Sequence, residues 1–252
     1  MAFDLDNGSK KEAEFRVVRI PKGNGHTREI YIPSKDTKRT LRALLPELEQ
    51  ILADHGGAAS NYAFEKGKNC ALNAFQHIGY RYTLSMDISD FFDSVSIEHV
   101  SELLPTHIID QCFIAGSPKQ GLPTSPLIAT LAFIACDRRI VELLGKLKLD
   151  ATYTRYADDL VFSFDERRNS GRIETIVRQV LKEFCFKLNE QKTKLQDALN
   201  GRVIITGLGV DSHGIHPTRR IRKKARAAAH QQNASSLDGL TEWQKCKLPS
   251  SF

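Results

Sequence analysis

The sequence has no apolar run long enough to span a bilayer, so no membrane association through a transmembrane helix is expected. Its first residues, 1–14, are polar and charged, unlike a secretory signal. The cysteines show no C-x-x-C pair and no zinc-type spacing; they are Cys70, Cys112, Cys136, Cys185 and Cys246. An odd, scattered set of cysteines is typical of reduced thiols and predicts a cytoplasmic protein. Internal repeats and low-complexity tracts are also missing from the sequence.

The chain does have enough length for a sizeable core and an excess of positive charge. Its 252 residues suffice for one domain or two. The net charge is +6 and the pI is about 9.0, which suits a polyanionic partner. The same charge is common in soluble proteins without such a partner, so charge alone does not assign a function.

The most informative segment is Y-A-D-D at residues 156–159, which lies between the apolar runs 151–155 and 160–164. Both runs alternate and are rich in β-branched and aromatic residues, which predicts two strands joined by a tight turn. The turn would present Asp158 and Asp159 at its tip. Adjacent carboxylates repel each other and are tolerated best beside a divalent cation, so the pair indicates a metal site.

A third carboxylate, Asp87, follows the predicted strand 82–86 and precedes a helix expected to begin near Ser96. If the two strands are neighbours, Asp87 lies close to the turn at Asp158. Three carboxylates can hold two Mg²⁺ ions, which together promote an in-line phosphoryl displacement. From these residues alone, a solvated Asp-Asp turn and a helix N-cap at Asp87 remain open.

The motifs together resemble those of reverse transcriptases. Residues 156–159 are similar to the family's Y-x-D-D box, and Asp87 with Phe91 and Phe92 resembles its first metal-binding motif. Q-G-L-P-T-S-P at residues 120–126 is similar to its Q-G-x-x-x-S-P motif. The motifs stand in the family's order, and the resemblance covers about residues 19–230.

Two further segments resemble the retron type of this family. N-A-F-Q-H at residues 73–77 is similar to the N-A-x-x-H signature, and I-T-G at residues 205–207 resembles V-T-G with isoleucine in place of valine. The resemblance implies that these segments contact RNA or DNA through Asn73, His77, Thr206 and Gly207. Such short patterns match easily by chance, and their placement gives them weight.

The fold that the resemblance implies is α+β, with the fingers and palm of a right-hand polymerase and a shortened helical thumb. We expect a flexible tail (1–14), fingers (15–80), a palm with inserted finger elements (81–210), and a primer-grip hairpin end with the thumb (211–252). The predicted elements are strands at 15–20 and 27–32 around a turn at 21–25, helices at 34–54, 126–147 and 171–184, one strand at 202–210, a turn at 211–214, and a loop at 233–239. Only residues 240–252 follow that loop, too few for the family's usual thumb.

The resemblance also assigns roles in catalysis. Asp87, Asp158 and Asp159 would hold two Mg²⁺ ions, with Mn²⁺ as a substitute and the Ile88 carbonyl as a further ligand. For the incoming nucleotide, the expected contacts are Lys22 and Arg28 with the triphosphate, Phe92 with the sugar, Gln120 near the base pair and Lys192 with the leaving pyrophosphate. The alternatives are ordinary solvation for the cations and a place in the core for the phenylalanine.

The segment 219–226 carries positive charges only, and on a helix they cover most of the circumference. Such density favours a helix that follows a phosphate backbone, with a solvated charge run as the alternative. The predicted RNA- and DNA-binding cations are Arg219, Arg220, Arg222, Lys223, Lys224 and Arg226.

The predicted function is RNA-directed DNA polymerisation of retron type. A structured noncoding RNA would be template and primer, deoxynucleoside triphosphates the substrates, and an RNA–DNA hybrid the product, with an effector protein as a further partner in defence against phage. The alternatives are another bacterial reverse transcriptase, of a defence or group II intron type, an RNA-binding scaffold without synthesis, and a metal-dependent phosphohydrolase.

Overall fold

The computed structural model describes residues 14–23 and 26–248, which divide into two compact units. The first unit contains the residues up to Gly57 and residues 90–134, and the second contains residues 58–89 and 135 onward. The expected tail lies outside the described residues except for Glu14. Residues 24 and 25, at the end of the first predicted turn, and residues 249–252 also lie outside them. The division into fingers, palm and thumb remains a prediction.

The described residues contain both strands and helices, grouped along the chain. The strands are β1 (Phe15–Gly23), β2 (His26–Pro33), β3 (Tyr82–Asp87), β4 (Thr152–Tyr156), β5 (Asp159–Phe164), β6 (Lys194–Asp197), β7 (Val203–Ile205), β8 (Leu208–Asp211) and β9 (Gly214–Pro217). The α-helices are α1 (Lys35–Ala43), α2 (Leu45–Asp54), α3 (Cys70–Phe75), α4 (Phe91–Ser94), α5 (Thr106–Cys112), α6 (Ser125–Lys146), α7 (Asn169–Glu183), α8 (Arg219–His230) and α9 (Ala234–Gln244). Short 3₁₀ turns occupy Ile97–His99, Glu190–Lys192 and Ala198–Asn200.

The first unit opens with the predicted hairpin, in which β1 and β2 pair antiparallel. Both strands are longer than predicted. In particular, β1 continues through Pro21, where the sequence indicated a turn. A two-stranded ribbon has only edge strands, and an edge tolerates a residue without an N–H. The register shifts between Pro21 and Gly23.

The predicted helix at 34–54 is two helices, α1 and α2. Ser34 caps α1, since its hydroxyl oxygen accepts a hydrogen bond from the Thr37 N–H at 3.1 Å. Pro46 lies in the first turn of α2. Proline has no N–H to donate and its ring collides with the carbonyl four residues earlier, so one continuous helix is excluded.

The helix expected to begin near Ser96 is not found there. The short helix α4 starts at Phe91, and only a 3₁₀ turn (Ile97–His99) follows Ser96. By contrast, the buried helix predicted at 126–147 is confirmed by α6, which starts one residue earlier and also ends one residue earlier.

The second unit is built on an antiparallel sheet with the strand order β4-β5-β3-β6. The predicted strands at 82–86, 151–155 and 160–164 are confirmed within one residue at each end. Aromatic pairs stabilise this sheet, with Tyr153 and Phe162 stacked at a centroid distance of 4.6 Å. The amphipathic helix predicted at 171–184 is α7, which buries the apolar stripe formed by Ile173, Ile176, Val177, Val180 and Leu181.

A second sheet, β7-β8-β9, corrects the predicted single strand at 202–210. The chain reverses at Thr206 and Gly207, whose φ angles are 45° and 81°, so β7 and β8 form a hairpin. Its inward side chains form a small core with α3 and β5; the buried members are Ala71, Ala74, Val161, Val203, Ile205, Leu208 and Val210.

The loop predicted at 233–239 is wrong, because residues 234–244 form the helix α9. Its N-cap is Asn233, whose side-chain oxygen accepts a hydrogen bond from the Ser236 N–H at 3.1 Å. The helices α8 and α9 pack against each other. None of the helices in the described residues has the length and apolar character needed to cross a membrane.

Candidate active site

The turn between β4 and β5 carries the two adjacent aspartates, as predicted. Tyr156 pairs with Asp159 at the ends of the strands, so only Ala157 and Asp158 form the connection. Ala157 has φ 58°, in the left-handed region that residues other than glycine rarely adopt. Strained backbone of this kind persists only where surrounding contacts hold it, and it is common at functional sites.

Strand β3 brings Asp87 to this turn. Asp87 pairs with Asp159 in the antiparallel register of β3 and β5. The Ile88 N–H donates to the Asp158 carbonyl at 3.0 Å, and the Asn189 N–H donates to the Asp87 carbonyl at 2.7 Å. Backbone hydrogen bonds therefore tie together the segments that carry all three predicted carboxylates.

The carboxylates repel one another. The pKa of Asp159 is raised to about 6 by burial and then by the negative charges of Asp158 and Asp87, against an opposing effect of Lys192. The Lys192 ammonium donates to the Asp87 carboxylate at 2.8 Å. Burial lowers the pKa of Lys192, but the bond to Asp87 and the neighbouring carboxylates outweigh burial and raise it. One cation thus neutralises part of a site with excess negative charge.

This donor set fits divalent ions in its chemistry. Carboxylate oxygens are the ligands that Mg²⁺ prefers, and here three carboxylates lie on adjacent backbone segments with one lysine among them. Among the described residues, however, no three Asp, Glu, His or Cys side chains form a ready-made ion cage. Ile88 has a buried side chain and lies in the same backbone network, and its carbonyl as a ligand remains a prediction.

The residues predicted to bind the nucleotide, apart from Lys192, belong to the first unit. The Lys22 ammonium donates to the Asp90 carboxylate at 2.9 Å, and Arg28 is exposed on β2. The Gln120 carbonyl accepts a hydrogen bond from the Tyr31 N–H at 2.8 Å. A side chain on Gly121 would collide with the Tyr31 carbonyl oxygen, so this glycine allows the loop to approach β2 closely.

Phe91 and Phe92 differ in burial, as expected if only one belongs to the core. Phe91 is buried, and its ring meets Phe133 edge-on at a centroid distance of 5.8 Å. Phe92 is half-buried. The contact of Phe92 with a sugar remains a prediction.

Asn73 and His77, which were predicted to bind nucleic acid, are both buried in the structure. Their contact with RNA or DNA remains a prediction. The His77 ring nitrogens lie 2.9 Å from the Ser163 hydroxyl and 2.6 Å from the Thr154 hydroxyl, and burial lowers the pKa of His77 to about 3. A neutral histidine therefore links β4 to β5 inside the unit.

The other predicted nucleic-acid contacts lie nearer the surface. The Thr206 hydroxyl donates to the Cys70 carbonyl at 3.2 Å, which joins the β7–β8 turn to α3, and Gly207 is exposed. All six predicted cations of α8 are exposed, while Ala225 and Ala228 are buried on its inner face.

Sequence reasoning missed a buried ion pair next to the aspartates. The Arg155 guanidinium, which is fully buried, donates to the Asp137 carboxylate and also to the Ala157 carbonyl. Asp137 lies on α6 and also accepts a hydrogen bond from the Tyr153 hydroxyl at 2.6 Å. Each of these two apolar elements carries a charged residue at an inward position. Buried charges are nearly always paired, so this pattern could have predicted the ion pair.

A family model described as "Reverse transcriptase (RNA-dependent DNA polymerase)" matches residues 20–231. The chain belongs to the reverse transcriptase family. It is 33% identical to the retron Ec73 reverse transcriptase of Escherichia coli over 84% of this chain and 73% of that protein. It is 29% identical to the retron Mx65 reverse transcriptase of Myxococcus xanthus over 98% of this chain and 64% of that protein. The reverse transcriptase is therefore of retron type, within the RNA-directed DNA polymerases, whose members use divalent metal ions.

Solved structures support the mixed α+β fold. Apo telomerase from Candida tropicalis superposes with a TM-score of 0.60 at 12% identity, over 86% of this chain and 50% of that chain. The foamy viral protease-reverse transcriptase in complex with double-stranded DNA gives 0.51 at 15% identity, over 91% of this chain and 42% of that chain. The reverse transcriptase described here thus spans half or less of these solved chains.

Proposed function

We propose that this chain copies an RNA template into DNA by adding deoxynucleotides to a primer hydroxyl at Asp87, Asp158 and Asp159. The observation that carries the proposal is the register of β3 and β5, which pairs Asp87 with Asp159 beside the Asp158 turn. A metal-dependent phosphohydrolase would not require the polymerase-type motif at residues 120–126.

In this reaction the primer hydroxyl attacks the α-phosphate of the nucleotide and pyrophosphate leaves. Asp87, Asp158 and Asp159 would hold two Mg²⁺ ions, or Mn²⁺ in their place, with the Ile88 carbonyl as a further ligand. When bound, such ions lower the pKa of the attacking hydroxyl and neutralise the charge of the leaving group. The side chains of the protein position the reactants around them.

The remaining predicted residues would act on the nucleotide. Lys192 already lies against Asp87, where its charge would neutralise the departing pyrophosphate. Lys22 and Arg28 would bind the triphosphate, Gln120 would lie near the forming base pair, and Phe92 would exclude a 2′-hydroxyl.

We further propose that template and primer are one structured noncoding RNA, so that the product is an RNA–DNA hybrid. The similarity to retron enzymes supports this, as do the exposed cations of α8. The helices α8 and α9 would belong to the thumb. A cytoplasmic location, an effector protein and a role in defence against phage remain parts of the same proposal.

DNA synthesis after co-expression with the flanking genomic region tests the function. We expect short DNA covalently joined to RNA from the unaltered protein and none from Asp158→Asn/Asp159→Asn. Asp150→Asn, which changes an exposed carboxylate elsewhere, is the matched control and should be fully active. If this region gives no DNA but purified protein extends a primer on RNA with Mg²⁺, the enzyme is of a non-retron class. RNA binding without any synthesis would favour the scaffold alternative.

A further inference from the structure

The backbone of the aspartate turn is held by a side chain from inside the protein. Nη1 of Arg155 donates to the carbonyl oxygen of Ala157 at 3.2 Å. Ala157 directly precedes Asp158 and has the unusual φ of 58°. The hydrogen bond therefore acts on the one residue of the turn whose backbone conformation is unfavourable for its side chain.

Arg155 is itself fixed by Asp137. Its Nε lies 3.1 Å from Oδ1 and 3.0 Å from Oδ2 of Asp137, and its Nη2 lies 2.8 Å from Oδ2. Both side chains are at most 1% exposed. Because the guanidinium is planar and rigid, holding two of its nitrogens fixes the direction of the third.

The contacts continue away from the turn. The Tyr153 hydroxyl donates to Oδ1 of Asp137 at 2.6 Å, and Asp137 lies on the long helix α6. The backbone of Arg155 is also fixed, since its N–H donates to the Ser60 carbonyl at 2.7 Å and its carbonyl accepts from the Tyr62 N–H at 2.8 Å. The turn is thus anchored through one side chain to a helix.

Stability alone does not explain this pair. Apolar side chains of similar volume generally stabilise a protein as well as a buried ion pair does, because both charges must lose their water. A requirement for geometry does explain it, since the rigid fork of a guanidinium can hold a carboxylate bidentately and a backbone carbonyl in a fixed direction.

We propose that Arg155 is a positioning residue for nucleotidyl transfer. Asp137 orients its guanidinium, the guanidinium holds the Ala157 carbonyl, and the carbonyl sets where Asp158 and Asp159 stand. This inference rests on the proposed function, because it assigns the turn carboxylates to metal binding.

The test replaces both charges at once, in the variant Asp137→Leu/Arg155→Met. This variant leaves no unpaired buried charge, so it should keep the fold, but it lacks the hydrogen bond to Ala157. We expect unchanged RNA affinity, an unchanged KM for deoxynucleotides, and a kcat lowered about 10- to 100-fold, as for small misplacements of reacting groups. We also expect weaker Mn²⁺ binding, measured by electron paramagnetic resonance on protein without substrate.

Ser163→Ala is the matched control. It also removes buried hydrogen bonds from the same sheet, those to His77 and Thr83, but none to the turn. Its kcat and Mn²⁺ affinity should equal those of the unaltered protein. If the double variant does not fold, Arg155→Lys replaces it, since lysine keeps the charge but cannot hold Asp137 bidentately and reach Ala157.

A folded double variant or Arg155→Lys protein with normal kcat and normal Mn²⁺ affinity would overturn the inference. Failure of the proposed function looks different, because the unaltered protein would then synthesise no DNA. In that case the Mn²⁺ comparison alone decides whether Arg155 positions the carboxylates.

Discussion

Asp159 lies beside Asp158 and Asp87, and burial together with their charges raises its pKa to about 6, above the reference value of 3.8. The folded state therefore binds the proton of Asp159 more tightly than the unfolded state does. Stability of the metal-free protein should fall as the pH rises from about 4 to about 6 and stay low above that range. Divalent ions bound to these carboxylates would remove this penalty.

The first prediction concerns stability without metal. Asp159→Asn should raise the free energy of unfolding at pH 8 by about 1–3 kcal/mol, since each unit of pKa shift corresponds to about 1.4 kcal/mol. The gain should shrink as the pH falls towards 4. Denaturant unfolding in the presence of EDTA at several pH values measures it, with Asp150→Asn as the control. An equal gain at every pH would contradict this electrostatic cause.

A second residue-scale prediction concerns the choice of sugar. Phe92 is half-buried and Phe91 is in the core, so only Phe92 has surface to offer a nucleotide. Phe92→Val should increase the incorporation of ribonucleotides relative to deoxynucleotides by about 10-fold or more, because the smaller side chain leaves room for a 2′-hydroxyl. Steady-state kinetics with a ribonucleotide and with the matching deoxynucleotide measure this selectivity. Unchanged selectivity with normal activity would remove Phe92 from the nucleotide site.

At the scale of helices and strands, alternation predicted the strands around Asp87 and Asp158 well, but local breaks were overlooked. Pro46 signalled the division of α1 from α2, and Thr206 with Gly207 signalled a reversal inside an apolar run. Polar composition at 233–239 indicated a loop, although Asn233 is a favourable N-cap and predicts the helix that follows. In each case a local signal outweighs the composition of the surrounding segment.

For the candidate active site, the sequence predicts some residues and not others. The motif order indicated the three aspartates, whereas the burial of Asn73 and His77 depends on how α3 packs, and no local pattern reports that packing. Arg155 and Asp137 are 18 residues apart on different elements, so their contact follows only from the tertiary structure.

The cations of α8 lead to a prediction about RNA affinity. Replacing Arg219, Arg220 and Lys223 by glutamine should weaken RNA binding at 0.1 M salt and reduce the slope of log K against log salt by about 2–3, because fewer counterions are released. Binding titrations over a salt series measure this slope. Arg172→Gln/Lys182→Gln, which removes exposed cations of α7, should leave it unchanged. An effect of both sets in proportion to the charges removed, three against two, would mean that only net charge matters.

At the scale of the whole molecule, two titrating groups act on stability in opposite directions. Burial lowers the pKa of His77 from 6.5 to about 3, so the folded state keeps it neutral. Its contribution is fully present above pH 6.5 and is lost as the pH falls towards 3, by about 1.4 kcal/mol per pH unit. Over pH 4–6 the effect of Asp159 has the opposite sign, and the two partly cancel.

His77→Gln tests this balance. Glutamine stays neutral and can still bond to the Ser163 and Thr154 hydroxyls, so the loss of stability on acidification should become shallower. Urea unfolding between pH 4.5 and pH 7.5 measures the slope. A slope identical to that of the unaltered protein would show that His77 does not titrate on unfolding.

The strand order has a consequence for how the protein is made. Strand β3 lies in the middle of its sheet, yet both of its neighbours, β5 and β6, come later in the chain. At about 5–20 residues per second, the ribosome needs several seconds to go from Asp87 to Asp159. During that time β3 has two unpaired edges on the nascent chain, and such edges promote aggregation. Slower folding is therefore the cost of forming a site from distant segments.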